Sequence, residues 1–356
     1  MTPHDLYGRT FACECGKTHA IEPREALCAA DALDRLPDVC ARAAGERSAV
    51  VLTDVRTRAA AGAAAAAALR AAGWTVREIV VPDPAPDRSP VCDDATHDRL
   101  AGETAGAGLV VSVGSGVLSD LGKWLAYDAG VPCVSFATAA SMNGYASANV
   151  APTLAGVKSL LRARPPRVVL ASPDILCAAP RELTTAGLGD VLAKCTSSAD
   201  WRMNHILFGD YYCARSVGLI AEIEPLYLEH PQDVAAGDAR AVGALFDALL
   251  LTGVAMTMAE SSAPASGGEH LISHTLDMLA VAAGGEHDLH GRQVGVGTIL
   301  MCELYRRVLA VESPKFRTPP EQIDVRFWGP LAGAVSPCYA EKRPRLSAAA
   351  DKLAKP

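Results

Sequence analysis

The chain lacks an excess of positive charge. Its 33 Lys and Arg are outnumbered by 40 Asp and Glu, for a formal net charge of −7. Counterion release from a polynucleotide and attraction to anionic lipid are then not on offer over an extended surface. That excludes a dedicated nucleic-acid or membrane-surface protein and leaves room for a local basic pocket. The chain also lacks any unbroken run of 18 apolar residues, so no membrane-spanning helix is expected. Met1 to Lys17 mixes acids and bases and has no apolar core of signal-peptide length. Eleven cysteines occur without regular spacing, which reads as reduced thiols in a cytoplasmic protein rather than a disulfide framework. No internal repeat is visible. What remains is 50% hydrophobic and 21% charged over 356 residues, the profile of a globular chain of one or two domains.

The first half alternates short β-branched runs with alanine-rich stretches. Ser48 to Thr53 reads as a strand, residues 57–72 as a helix ended by Gly73, and Trp74 to Val81 as the next strand. Pro82, Pro84, Pro86 and Pro90 punctuate a loop. Leu109 to Val113 reads as a third strand, running through Gly114-Ser115-Gly116 into a helix that reaches Tyr127. Val131 to Phe136 and, after Pro165-Pro166, Arg167 to Ser172 complete the set. Strand, helix, strand in this order predicts a parallel sheet covered by helices. Beyond about Ile175 the β-rich runs almost vanish and helical patterns dominate, for instance 235–259 and 294–311. The expected organisation is an α/β nucleotide-type domain over 1–176, then an all-α domain over 177–356. Its last stretch, 343–356, reads as a surface helix or a frayed tail.

Two kinds of candidate site stand out. The strand that ends in Gly114-Ser115-Gly116 and opens into a helix offers free backbone N–H groups and the positive end of a helix dipole to a phosphate. It falls short of G-x-G-x-x-G, since Ser119 stands where the third glycine belongs. Asp54, at the end of an earlier strand, is suited either to a ribose hydroxyl or to capping a helix.

In the helical half, Asp190 follows Gly187-Leu188-Gly189, His270 and His274 lie one turn apart after Ser266-Gly267-Gly268-Glu269, and His290 opens His290-Gly291-Arg292. A helix from Leu271 to Ala283 travels about 20 Å. The stretch after Gly284-Gly285 spans at most about 20–25 Å, so the chain can return His290 to His270. One carboxylate and two imidazoles, with positions left open, make a catalytic site for Zn²⁺ or Fe²⁺. Cys13-Glu14-Cys15 with His19 is a rival metal reading, set below the first because a lone C-x-C pair lacks the ligands of a structural zinc site.

Taken in order, VGSGVLSDLGKWLAY, TAASMNGYAS, AGLGDVLAKCTSSADW, PASGGEHLISH and HGRQVGVGTI resemble the sn-glycerol-1-phosphate dehydrogenases, within the superfamily of metal-dependent alcohol dehydrogenases, glycerol dehydrogenase and dehydroquinate synthase. The resemblance runs from Cys13 to about Gly333. It implies a Rossmann-like N-terminal domain for NAD(H) or NADP(H), a helical metal-binding domain, a homo-oligomer and a small phosphorylated substrate. It assigns Asp190, His270 and His290 to a divalent metal, zinc by expectation with nickel or iron as alternatives. Gly114, Ser115, Gly116 and Asp120 match the pyrophosphate turn, Thr138, Ser141 and Ser147 the nicotinamide loop, and Asp54 the adenine-ribose position.

Asn143 departs from the acidic pattern of the family at Ser141-Met142-Asn143-Gly144 and is assigned with Lys194 and His274 to the substrate. Lys158 and Arg202 are further candidates for its phosphate. The expected reaction is reduction of dihydroxyacetone phosphate. The alternatives are a reductase of a three-carbon phosphonate ketone such as phosphonopyruvate and a cyclising lyase of the dehydroquinate synthase kind. A degenerate, non-catalytic scaffold is disfavoured by the presence of every expected ligand.

Overall fold

The computed structural model describes residues 3–354 except 87, 155–156, 222 and 286–287. From the N-terminus, β1 (Thr10–Ala12) and β2 (Thr18–Ala20) form an antiparallel hairpin. The main sheet then takes β3 (Glu25–Cys28), β4 (Ser48–Asp54), β5 (Thr75–Val81), β6 (Leu109–Gly114) and β7 (Cys133–Ala137). A small antiparallel arm follows, with β8 (Asn149–Val150), β9 (Thr153–Leu154), β10 (Val157–Lys158) and β11 (Leu161–Arg162). The chain re-enters the sheet as β12 (Val168–Ala171).

The six sheet strands are all parallel and lie in the order β3-β12-β7-β6-β4-β5. β6, β7 and β12 are buried along their whole length. Their mostly apolar sequence, broken only by Ser112 and Ser135, answers to that position, since a parallel strand is covered on both faces. On one face Val51, Val111, Phe136 and Leu170 pack against Leu36 and Val39 of the helix Ala32–Ala43 and Leu69 of the alanine-rich helix that follows β4. On the other, Val50, Leu52 and Ile79 meet Leu100 of the helix Asp94–Thr104 and Leu118, Leu121 and Leu125 of the helix Gly116–Asp128. Edge strand β5 alternates exposed and covered residues, as one lying at the rim should. The chain leaves β4 toward β5 and returns on the other side of β4 as β6. That reversal opens a crevice at the carboxyl ends of β4 and β6, where doubly wound sheets bind ligands.

From Pro173 to Leu353 the described residues contain no strand. The centre of this half is the helix Ala239–Ala259, whose mean hydropathy of 1.8 and length would suffice to cross a membrane. The sequence predicts a helix here but no spanning run, because Arg240 and Asp247 interrupt the apolar segment. With 83% of its most apolar window buried, it is a core helix, apolar all round because protein surrounds it. Leu245, Phe246 and Leu249 share one core with Tyr145, Val169, Trp201 and Tyr227, which joins this half to the sheet.

The structure also redraws several expected boundaries. The stretch 235–259 is two helices, since Gly237 takes φ +77° and Asp238 caps the second through the amides of Arg240 and Ala241. The helix expected at 294–311 starts earlier, at His290. The C-terminal stretch is the end of a longer helix, Ala332–Leu353. β3 was not foreseen: Glu-Ala-Leu-Cys has neither β-branched residues nor alternation, and only pairing with β12 makes it a strand.

Candidate active site

Three helices converge on one point. Asp190 sits near the end of the helix Arg181–Leu192, His270 at the start of the helix Gly268–Ala282, and His290 is the first residue of the helix His290–Leu309. Their backbones touch because the contact points are glycines. A Cβ on Gly189 would stand 2.2 Å from the Gly291 carbonyl oxygen, one on Gly291 1.9 Å from that of Ala186, and one on Gly297 2.6 Å from that of Glu269. These glycines flank the three polar side chains, so the close approach that demands them also aims Asp190, His270 and His290 at each other.

One ligating atom from each of these three lies within 4.8 Å of the other two. His270 Nε2 is 3.5 Å from Asp190 Oδ1. The surroundings fix both groups. Asp190 accepts from the Asn143 backbone amide at 2.7 Å and from its side-chain amide at 3.1 Å. Glu269, fully buried, takes His270 Nδ1 at 2.9 Å, the Gly267 amide at 2.6 Å and the Thr196 hydroxyl at 2.6 Å. That leaves His270 Nε2 facing Asp190, the carboxylate–histidine arrangement that orients a ligating imidazole. Ser273 stands 3.4 Å from His290 Nδ1 and donates to Gln293 at 3.0 Å. Asp200 holds the preceding turn by accepting the Gly268 amide at 2.7 Å.

Burial works against a charge on any of these imidazoles, and it takes His290 down to about 3 and His274 down to about 4. For His270 the hydrogen bonds to Asp190 and Glu269 outweigh burial and carry it up to about 9. Asp190 stays below its ordinary value although burial pushes it up, chiefly through His270. One carboxylate, two imidazoles and a fixed tautomer fit a divalent cation as a donor set.

The second part of the site is the crevice. Gly114 ends β6, and a Cβ there would lie 2.6 Å from that of Leu118, so the turn into the helix Gly116–Asp128 requires glycine. Asp54 ends the adjacent β4. It caps the helix after it, with Oδ1 accepting the Thr57 amide at 2.7 Å and Oδ2 lying 3.5 Å from Arg56. Thr138 follows β7, and its amide donates to the Gly114 carbonyl at 3.1 Å. Asp120 meets Lys123 at 2.9 Å and the Ala151 amide at 3.0 Å. Ser147 donates to the carbonyls of Gly144 and Asn149 at 3.2 and 3.0 Å, and Ser141 is buried in the same loop. One loop, 138–147, therefore touches Gly114 at one end and Asp190 through Asn143.

Lys194 is buried against the Ser216 carbonyl at 3.5 Å, and burial takes it down to about 8, with Glu224 opposing. Arg202 lies over the Tyr212 ring. His274 packs beside His290, ring centroids 5.8 Å apart. Two residues that reasoning from the sequence passes over hold the arrangement, and a third adds charge beside it. Glu269 was adjacent to His270 and unremarked. Lys123, almost fully buried, clamps the loop by donating to Gly144 and Asn149 at 2.8 Å each, and its spacing of three from Asp120 was the available signal. Lys158, at the tip of the small arm, is near enough for its charge to add to the lowering of His274 and His290.

Residues 27–180 match the family model described as iron-containing alcohol dehydrogenase. A glycerol-1-phosphate dehydrogenase [NAD(P)+] of Bacillus licheniformis is 32% identical over 300 residues, covering 84% of this chain and 74% of that protein. The chain belongs to the glycerol-1-phosphate dehydrogenase family. A protein of the same name from Pyrococcus furiosus is 40% identical over 195 residues, 55% of each chain. The crystal structure of glycerol dehydrogenase from Schizosaccharomyces pombe superposes with a TM-score of 0.66 at 18% identity, covering 80% of this chain and 71% of that one, a likeness of fold. As a member of the glycerol-1-phosphate dehydrogenase family the protein is an NAD(P)-dependent alcohol dehydrogenase that uses a divalent metal. When bound, the cation supplies Lewis-acid polarisation of a substrate oxygen, and the nicotinamide supplies the redox step.

Proposed function

We propose that the protein interconverts dihydroxyacetone phosphate and sn-glycerol 1-phosphate, with zinc held by Asp190, His270 and His290. The observation that carries this reading is the loop 138–147, which contacts the glycine turn at one end and the carboxylate of the ligand cluster at the other. A nicotinamide cofactor with its pyrophosphate on Gly114-Ser115-Gly116 would extend along that loop toward the ligands, past Thr138 and Ser141. Asp120 and Ser147 serve by bracing the end of this loop, since Asp120 already meets Lys123 and the Ala151 amide and Ser147 the carbonyls of Gly144 and Asn149. Asp54, at the mouth of the crevice, favours NADH because a carboxylate there repels a 2′-phosphate.

On the substrate side, we assign the phosphate to Lys158, because the strand β10 that carries it packs against the helix Gly268–Ala282, which carries His270 and His274. Lys194 has its charge partner in Glu224 instead. His274, held neutral beside His290, orients the substrate hydroxyls. Asn143 keeps its amide on Asp190. The acid that the family carries there could not donate to a second carboxylate, so this departure acts first on the ligand and only through it on the substrate. Neither a phosphonate-ketone reductase nor a cyclising lyase draws support from the named relatives.

We assign cofactor binding to residues 1–176 and ligand and substrate binding to 177–356. The eleven thiols, all free, suit a cytoplasmic protein. A second copy is expected on the exposed apolar face of the helix His290–Leu309, where Val296, Ile299, Leu300, Leu304 and Val308 recur at helical spacing. The test is oxidation of NADH and NADPH by zinc-loaded protein with dihydroxyacetone phosphate. Chelator-sensitive consumption, faster with NADH, is the expected result. A folded, metal-replete sample that consumes neither overturns the substrate assignment.

A further inference from the structure

A second group of side chains with ligating atoms, three from the N-terminal hairpin and one from the helical half, shares no residue with the first and is not used by the reaction. Cys13 and Cys15 occupy the turn between β1 and β2, where the Cys13 amide donates to the Lys17 carbonyl at 2.9 Å and Gly16 takes φ +85° to close the turn. His19 follows on β2 and is buried. Cys213 comes from the helical half, at the N-cap of the helix Ala214–Val217, and is fully buried. One ligating atom from each of the four lies within 4.8 Å of the others.

We propose that Cys13, Cys15, His19 and Cys213 form a second, structural metal site of the Cys₃His type, occupied by zinc, that fastens the N-terminal hairpin to the helical half. Three of the donor–donor distances match the edges of a zinc tetrahedron. A zinc ion with bonds of about 2.3 Å to sulfur and about 2.0–2.1 Å to nitrogen sets S···S edges of about 3.8 Å and S···N edges of about 3.5 Å. Here Cys13 Sγ and Cys213 Sγ are 3.9 Å apart, and His19 Nε2 is 3.3 Å from Cys15 Sγ and 3.7 Å from Cys213 Sγ.

The donor chemistry selects the metal. Three thiols and one imidazole are soft and borderline ligands, which suit zinc and turn away magnesium and calcium. Four protein donors leave no position for a substrate, which makes the site structural rather than catalytic. A disulfide would join only two of the three sulfurs and leave the third and the buried imidazole unexplained.

The surroundings suit the anionic complex that three thiolates and one zinc would form. Tyr211 Oη lies 3.1 Å from Cys15 Sγ. Lys17 stands over the Tyr211 ring at 4.1 Å and pairs with Glu260 at 2.9 Å, while Arg215 covers the Phe11 ring at 4.5 Å. Ser216, three residues past Cys213, donates to the Ala255 carbonyl at 3.1 Å, so the anchor continues into the core helix.

The experiment uses the full-length protein grown with zinc, its metal measured per chain by elemental analysis. Wild type is expected to carry about two equivalents, Cys213→Ser about one and His270→Ala about one, each variant losing a different ion. Cys213→Ser should keep metal-dependent turnover at moderate temperature and lose it at a lower temperature than wild type. Identical metal content in wild type and Cys213→Ser, or loss of the same single ion in both variants, overturns the proposal. A second measurement needs no variant: cobalt exchanged into wild-type protein should give thiolate-to-cobalt charge-transfer absorption, which Asp190, His270 and His290 cannot produce. Cobalt-loaded protein without that absorption overturns the proposal even if Cys213→Ser fails to fold.

Discussion

The two groups of ligating side chains are built to opposite ends. Asp190, His270 and His290, from three helices, are held by second partners such as Glu269 and Asn143, and as the three proposed donors they would leave coordination positions open. Cys13, Cys15, His19 and Cys213 are four potential donors, three of them from one hairpin, enough on the proposed reading to fill a tetrahedral site without any outside ligand. An incomplete donor set keeps room for a reacting molecule, and a complete one resists exchange and ties chain segments together. The difference lies in the count and softness of the donors and in the supports behind them, and also in exposure, since Cys13 and Cys15 are only half-buried while Asp190 and His270 are buried.

The sharpest way to break this comparison is to remove one donor from the open set. His270→Ala should lower turnover about a thousand-fold or more, the loss expected when Lewis-acid stabilisation goes. Its far-ultraviolet circular dichroism should stay that of wild type, and retention of wild-type kcat with NADH would separate these ligands from the chemistry. Next in size is the glycine contact. Gly291→Ala puts a methyl against the Ala186 carbonyl, a backbone atom that cannot turn aside. A loss of about 3 kcal/mol in urea unfolding is expected. Unchanged stability would mean that the two helices are held apart more loosely than the contact implies.

A smaller effect is expected behind the ligand. Glu269→Gln should weaken metal binding about 10- to 100-fold, read by titration with a chelator. No change would make Glu269 a plain structural carboxylate. The smallest concerns the open side of the site. Lys158→Ala should raise KM for the phosphorylated ketone about 10-fold while leaving dihydroxyacetone, which has no phosphate, unaffected. An equal loss for both substrates would remove Lys158 from phosphate recognition.

The sheet was legible because its strands state their environment. Val-Val-Leu and Leu-Val-Val-Ser-Val are apolar but for Ser112, as suits strands covered on both faces, and the intervening alanine-rich stretches carry helical propensity. The short antiparallel arm and β3 were not legible, since two to four residues hold no periodicity and only their partners make them strands. Within the open site, the i, i+4 pair His270 and His274 could be read as one face of a helix. Glu269 could not be read as the partner of His270, because adjacent helical residues usually point in different directions, and only the folded first turn shows Glu269 Oε1 taking both the Gly267 amide and His270 Nδ1.

By itself the sequence determined the parallel sheet, the glycine turn at Gly114, the largely helical second half and the resemblance that assigns Asp190, His270 and His290 to a metal. Those rest on local periodicity and on ordered motifs, which survive in one dimension. Only the tertiary structure decided that Gly189 and Gly291 are a helix contact, that Asn143 serves Asp190, and that Cys213 joins Cys13, Cys15 and His19. Cys13 and Cys213 are separated by 200 residues. No local pattern encodes such a meeting, because it is fixed by how the apolar faces of intervening strands and helices pack, and that packing is a property of the whole chain.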